Sequence, residues 1–364
     1  MTNLFQRRLQ ATPSRAGAAN LAAAGGQLPA EVLERTARDL TDWRHSARSV
    51  LALPFTGREF MDLLAEAVAA LRTLLAVPAN YRVLFLQGGA SAQFALVPMN
   101  LLRGRTMACY ADTGYWSRRA IAEAQRYCEV EVLPPHRAPA IASRGAYLHL
   151  TSNETADGRQ YREFPDAGAL PLVADMTSDF LTRPIDVSRF GLIYASAQKN
   201  IGAAGLTVVI VRQDLLGSAH PATPTVFDYL AQAHNDSLYN TPPMFAVYLA
   251  GLVFKWLLAQ GGLEAMQAAV QRKSAQLYEV IDRSGGFYRC TVAAQDRSQI
   301  NVCFWLAEDS LTPIFLREAE EEGFLHLAGH PRVGGIRASL YNAVSEETAC
   351  ALASFMSEFA RRHG

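Results

Sequence analysis

Short apolar runs without polar alternation recur along the middle of the chain. Leu192-Ile193-Tyr194-Ala195 and Val208-Val209-Ile210-Val211 are two of them, the pattern of strands buried on both faces. Residues 81–87, 107–110, 130–133, 147–150 and 170–174 read as strands as well. Between them lie stretches of helical period. Residues 58–75 place apolar side chains at 60, 63, 64, 67, 68 and 71, one face of a helix. A helix to 102 follows the Gly88-Gly89 turn, and another is predicted over 117–127. Strands alternating with helices from 81 to 211 predict a mostly parallel sheet covered by helices on both faces.

The flanks are patterned differently. Leu28-Pro29-Ala30-Glu31 opens a helix to about 43, with proline in its first turn, and 49–53 is read as extended. Thr241-Pro242-Pro243 starts an apolar helix over 244–258 that stops at Gly261-Gly262, a glycine end signal. A second helix is predicted over 263–281. Strands at 300–305 and 336–340 then alternate with helices, the last from Ser345 to Arg362 with charges matched to its dipole. The expected fold class is α/β, with a large domain at 20–264 and a smaller α+β domain at 265–364. Residues 1–19 are expected to form an N-terminal extension.

Two residues stand out against this frame. Lys199 sits in the small-residue loop Ala195-Ser196-Ala197-Gln198-Lys199-Asn200-Ile201-Gly202 between two core strands. A buried ammonium is costly unless paired or neutralised, and a neutralised lysine is what carbonyl chemistry requires. Alone, it also reads as a surface-loop lysine. Asp175 ends the apolar run 170–174, which puts a carboxylate at a strand's C-terminal end, where open α/β sheets bind ligands. Alone, it also reads as a turn or helix-cap residue. Together, a lysine for an aldehyde and a carboxylate for a pyridinium nitrogen form a pyridoxal-phosphate (PLP) arrangement. Gly88-Gly89-Ala90-Ser91 between a strand and a helix has the layout of an anion-binding turn, although its spacing is not that of a dinucleotide site.

Composition narrows the reading. The chain has 364 residues, 50% of them hydrophobic, with 34 basic against 34 acidic side chains. That balance gives no nucleic-acid or membrane-surface signature. Cys109, Cys128, Cys290, Cys303 and Cys350 are scattered without metal-ligand spacing, so no metal site is expected and a reducing cytoplasm fits.

Asp175, the Ser-Ala-Gln-Lys199-Asn run, Arg-Pro-Ile-Asp-Val-Ser-Arg at 183–189 and Tyr239-Asn240-Thr241-Pro242-Pro243 resemble phosphoserine aminotransferase, a class V aminotransferase of PLP fold type I. The resemblance covers roughly residues 20–364. It implies a large domain with a seven-stranded, mostly parallel sheet sandwiched by helices, PLP as cofactor, and amino acid and keto acid substrates. It makes Lys199 the residue bonded to the cofactor aldehyde and the carrier of the Cα proton, and Asp175 the partner of the ring nitrogen. Trp116 becomes the stacking aromatic, and Gly89, Ala90, Ser91, Thr155 and Gln198 the phosphate ligands. Asn240 and Thr241 would reach the neighbouring site of a homodimer. Arg337, in Gly-Gly-Ile-Arg-Ala-Ser, would hold the substrate α-carboxylate, with His330 and Arg332 nearby.

The chain also departs from the resemblance. The family's Ser-His-Arg-Gly loop is Pro54-Phe55-Thr56-Gly57 here, Ser91 replaces an arginine, and Pro331 follows Gly-His with Arg332 one place along. Ser-Gly-Pro-Ala is blurred to Ala24-Gly25-Gly26-Gln27. Losing cations from the distal subsite leads to the expectation of a different, less anionic amino acid in specialised biosynthesis. Transamination of 3-phosphoserine with 2-oxoglutarate is the alternative. PLP-dependent elimination, replacement or aldol-type chemistry is a second one.

Overall fold

The computed structural model describes residues 18–135 and 145–364. The expected N-terminal extension, except its last residues, lies outside the described residues. The chain opens with β1 (Ala19–Asn20), α1 (Ala30–Asp39) and α2 (Arg58–Leu75). Then come β2 (Tyr81–Leu86), α3 (Gly89–Leu101), β3 (Met107–Ala111), α4 (Tyr115–Ala124), β4 (Glu129–Leu133) and β5 (Leu148–Thr151). A short hairpin of β6 (Asn153–Glu154) and β7 (Arg159–Gln160) precedes β8 (Leu172–Asp175), β9 (Leu192–Ser196) and β10 (Thr207–Arg212). Helices α5 (Tyr229–His234), α6 (Met244–Ala259) and α7 (Gly262–Arg283) follow. The remainder holds β11 (Tyr288–Arg289), β12 (Asn301–Leu306), α8 (Thr312–Glu321), β13 (Phe324–Leu325), β14 (Ala328–His330), β15 (Gly334–Ser339) and α9 (Glu346–His363).

Among the described residues, seven strands form the central sheet in the order β2-β10-β9-β8-β5-β3-β4. β4, β3, β5, β8 and β9 run parallel. The exception to the mostly parallel arrangement is β10, antiparallel to both β2 and β9. The period of two along each strand splits its side chains between two cores. Ile193, Ala195, Val208 and Ile210 pack with Phe60 and Leu71 of α2 and Val247 and Phe254 of α6. Tyr194, Val209 and Val211 pack with Phe94 and Val97 of α3 and Ile121 of α4. Each such fully buried side chain contributes roughly 1.5–3 kcal/mol of transfer free energy, so the sheet edge is rigidly held.

The smaller sheet, β11-β12-β15-β14, has its own core of Leu277, Ile281, Phe304, Phe315, Leu352, Met356 and Phe359. β1 pairs in parallel with β13, and Leu21 is fully buried in this core. Lys273 of α7 is also buried, yet its ammonium donates to the carbonyls of Leu340, Tyr341 and Val344 at 3.2, 2.9 and 2.8 Å. Three acceptors offset its desolvation. The segment it braces reaches the lysine loop, for the Asn342 N–H donates to Asn200 Oδ1 at 2.9 Å.

Two local readings are corrected. Residues 50–52 form a 3-10 turn rather than an extended segment, because the Ser49 hydroxyl accepts the Leu51 N–H at 3.1 Å and closes a local turn. Helix α4 starts at Tyr115, not Ser117. Ser117 Oγ accepts the N–H groups of Thr113 and Gly114, both at 2.9 Å, so the serine acts from inside the first turn instead of preceding it.

Candidate active site

The register of the central sheet brings the chemistry to one edge. Asp175 pairs with Tyr194, and Thr207 pairs with both Ser196 and Leu86. The C-terminal ends of β2, β8 and β9 therefore meet. A cavity of about 140 Å³ opens there, lined by Gly89, Ala90, Ser91, Trp116, Thr151, Asn153, Asp175, Thr177, Ser178, Ser196, Gln198 and Lys199. A larger groove of about 470 Å³ between α7 and α9 contains no lysine.

Lys199 is buried, and its Nζ lies 5.3 Å from the Trp116 ring centre. Burial, reinforced by the Arg337 charge and opposed by Asp175, lowers its pKa to about 8. Roughly a tenth of the amine is therefore free base at pH 7, far more than for an ordinary lysine. Asp175 is buried at the strand end and accepts the Thr177 N–H at 2.9 Å. Burial pushes its carboxyl above the usual range, while the Thr177 hydrogen bonds and Lys199 pull it back. A cation at this carboxylate would complete the charge balance.

The turn into α3 forms a cradle for an anion. Gly88 and Gly89 both have left-handed backbone, φ 96° and 68°, which glycine adopts without strain. Ala90 and Ser91 then lie in the first helical turn, where free N–H groups favour an anion. Gln198 faces the cradle and accepts from the Ser196 hydroxyl.

Trp116 is held at both ends. Its indole Nε1 donates to Thr155 Oγ1 at 2.8 Å, and its backbone N–H donates to Glu154 Oε2 at 2.8 Å. Burial raises the Glu154 carboxyl to about 7, against the pull of the Ser117 and Trp116 N–H groups. Arg337 on β15 donates from Nη1 to the Thr155 carbonyl at 2.9 Å, and its buried Nε has no partner among the described residues. That guanidinium is aligned by one acceptor and retains donors for another.

Other expected residues lie farther out. The His330 ring lies tilted against Tyr115, its centre 4.2 Å away, and 6.2 Å from Trp116. Burial and the Arg337 charge lower its pKa. Arg332 is exposed beyond it. Asn240 lines a different cavity, with Gln87 and Gln232, and accepts from Gln232 Nε2 at 3.0 Å. The Thr241 carbonyl accepts from Gln87 Nε2 at 2.7 Å. Phe55 packs on the core beside exposed Thr56, and neither lines the Lys199 cavity. Conversely, the sequence reading missed Thr151, Asn153, Thr177, Ser178 and Ser196, which line that cavity. Small polar residues at strand ends carry no pattern that sets them apart from turns.

The donor set fits PLP. A carboxylate and a lysine flank the cavity, a helix N-terminus closes one end, and the buried Thr151 hydroxyl in its wall has no partner among the described residues. Residues 19–352 match the family model for class-V aminotransferases. The chain is 52% identical over 356 residues to a phosphoserine aminotransferase of Laribacter hongkongensis, covering 95% of this chain and 99% of that protein. Among solved structures it resembles phosphoserine aminotransferase of Bacillus circulans subsp. alkalophilus, with a TM-score of 0.92 at 44% identity, covering 96% of this chain and 100% of that one. It also resembles the PLP-bound enzyme of Trichomonas vaginalis, with a TM-score of 0.89 at 37% identity, over 93% of this chain and 99% of that one. A likeness this high over almost the whole length, around a lysine–carboxylate pair at the sheet edge, shows that the chain belongs to the phosphoserine aminotransferase family of PLP-dependent class-V aminotransferases.

Proposed function

We propose that this transaminase exchanges the amino group between 3-phosphoserine and 2-oxoglutarate. The observation that carries the proposal is the 52% identity, over 95% of the chain, to a relative of that name. PLP, when bound, supplies a protonated pyridine ring that takes up the electron pair left at Cα. The rest is the work of the chain. The Lys199 amine, lowered to about 8, would hold the cofactor through its aldehyde and, when free, would carry the proton to and from Cα. Asp175 holds the proton on the ring nitrogen by opposite charge in a dry site. Trp116 covers the ring and excludes water. Gly89, Ala90, Ser91, Thr155 and Gln198 take the cofactor phosphate, and Arg337 takes the substrate α-carboxylate through the donors it has free.

A second reading rests on a specific observation. Among the described residues, Asp175 and Lys199 are the only charged side chains lining the cavity, and Phe55, Thr56, Ser91 and Pro331 stand where the family resemblance implies cations or their neighbours. A charge-assisted hydrogen bond contributes roughly 1.5–3 kcal/mol, so these positions favour a less anionic amino acid. Steady-state kcat/KM with 2-oxoglutarate, compared for phosphoserine, alanine and larger apolar amino acids, separates the readings. Preference for phosphoserine supports the first. Preference for a neutral amino acid overturns it in favour of the second.

The assembly belongs to the same proposal. Asn240 and Thr241 are directed to a second subunit's cofactor in a homodimer, consistent with their position away from their own chain's cavity. We place the boundary between the two domains at 264/265. Five unpaired thiols agree with a cytoplasmic protein, and no single described helix is long and apolar enough to cross a membrane.

A further inference from the structure

We propose that Glu154 is the positioning residue for the Trp116 ring: its carboxylate fixes the first turn of α4 and so holds the indole over the cofactor beside Lys199. The inference rests on the reading of Trp116 as the stacking aromatic.

Glu154 is fully buried on β6, far in sequence from α4. Its Oε2 accepts the Trp116 N–H at 2.8 Å, and its Oε1 accepts the Ser117 N–H at 2.8 Å and the Thr113 hydroxyl at 3.1 Å. The next residue, Thr155, accepts the Trp116 indole N–H. Adjacent residues of one turn thus hold Trp116 at its backbone and at the tip of its ring. Fixing both ends removes the freedom of the side chain to swing about χ1 and χ2.

The arrangement goes beyond helix capping. The Ser117 hydroxyl already serves the N–H groups of Thr113 and Gly114 from within the helix. A buried carboxylate brought from another strand is costly unless its lone pairs are filled, and here the donors that fill them surround Trp116. The turn carrying Glu154 is itself anchored, because Asn153 Nδ2 donates to Asn301 Oδ1 on β12 at 2.7 Å.

The test compares PLP-loaded Glu154→Gln, Trp116→Phe and the double variant with the wild type. Glutamine keeps the shape but turns an NH₂ group toward either the Trp116 N–H or the Ser117 N–H. The readouts are the visible circular dichroism of bound PLP, the PLP dissociation constant and the melting temperature. Glu154→Gln is expected to diminish the dichroism and weaken PLP binding roughly tenfold, and the double variant to match Trp116→Phe, because coupled residues are non-additive. Wild-type dichroism and PLP affinity in Glu154→Gln with only a lower melting temperature would overturn the inference, as would additive effects. Unchanged dichroism in Trp116→Phe would instead overturn the stacking reading itself. Should Glu154→Gln not fold, Glu154→Asp, which keeps the charge and shortens the reach, is read in the same way.

Discussion

Gly26 lies against the backbone of Lys199. Its N–H donates to the neighbouring Gln198 carbonyl at 2.9 Å, and a Cβ at this position would stand 1.8 Å from the Lys199 carbonyl oxygen. The N-terminal segment therefore forms one wall of the lysine loop, and only a residue without a side chain fits the approach. The obstacle is backbone, which cannot swing aside.

Gly26→Ala follows directly. It should lower stability by about 1–3 kcal/mol through overpacking and reduce PLP occupancy by displacing the lysine loop. Denaturant midpoints and the ratio of visible to protein absorbance check this. A fully occupied, equally stable variant would show that the segment can move away.

The lowered pKa of Lys199 gives a pH dependence with a definite sign. The amine is protonated below its pKa and nucleophilic above it. The rate at which cofactor-free protein captures PLP should therefore rise with pH, with a midpoint at about 8 rather than at the ordinary 10.5. Stopped-flow absorbance measures it. A midpoint near the ordinary value would mean that burial does not tune this amine.

Asp175→Asn keeps an oxygen for the Thr177 N–H, so the fold should survive. It loses the charge that keeps the ring nitrogen protonated. A fall in kcat of about 10²-fold or more is expected, with a melting temperature close to that of wild type. Near-normal turnover would remove Asp175 from the mechanism.

Arg337→Lys replaces a planar fork with a point charge. The loss should appear mainly in KM for the amino acid, by roughly 10- to 100-fold, the equivalent of one charge-assisted hydrogen bond. If kcat falls instead while KM holds, Arg337 acts on the transition state rather than on the carboxylate of the bound substrate.

Much of this was legible in the sequence, for reasons that can be named. Unbroken apolar runs marked β9 and β10 and isolated Lys199 between them, and a clear helical period placed α2 at 58–75, as observed. Asp175 was visible because it interrupts such a run at its end. What escaped rests on single side-chain hydrogen bonds and on partners distant in the chain. Ser49 turns a stretch that reads as extended into a 3-10 turn through one hydroxyl. Ser117 looked like a helix start because capping serines usually precede the helix. Glu154 and Gly26 act on residues distant in the chain, and no local pattern announces such partners. The substrate expectation drawn from Phe55, Thr56, Ser91 and Pro331 weighed a few side chains, whereas the relatives, at 49–52% identity, carry the phosphoserine name.

The most direct test of the account is one half of the reaction. PLP-loaded protein is mixed with L-phosphoserine and no oxo acid, and the visible absorbance is followed alongside released products. The account predicts that the visible band gives way to that of the cofactor's amine form, with stoichiometric oxo acid and no ammonia, and that Lys199→Ala shows no such conversion. Release of ammonia, or an unchanged band with phosphoserine and with every neutral amino acid tried, would contradict transamination at this site.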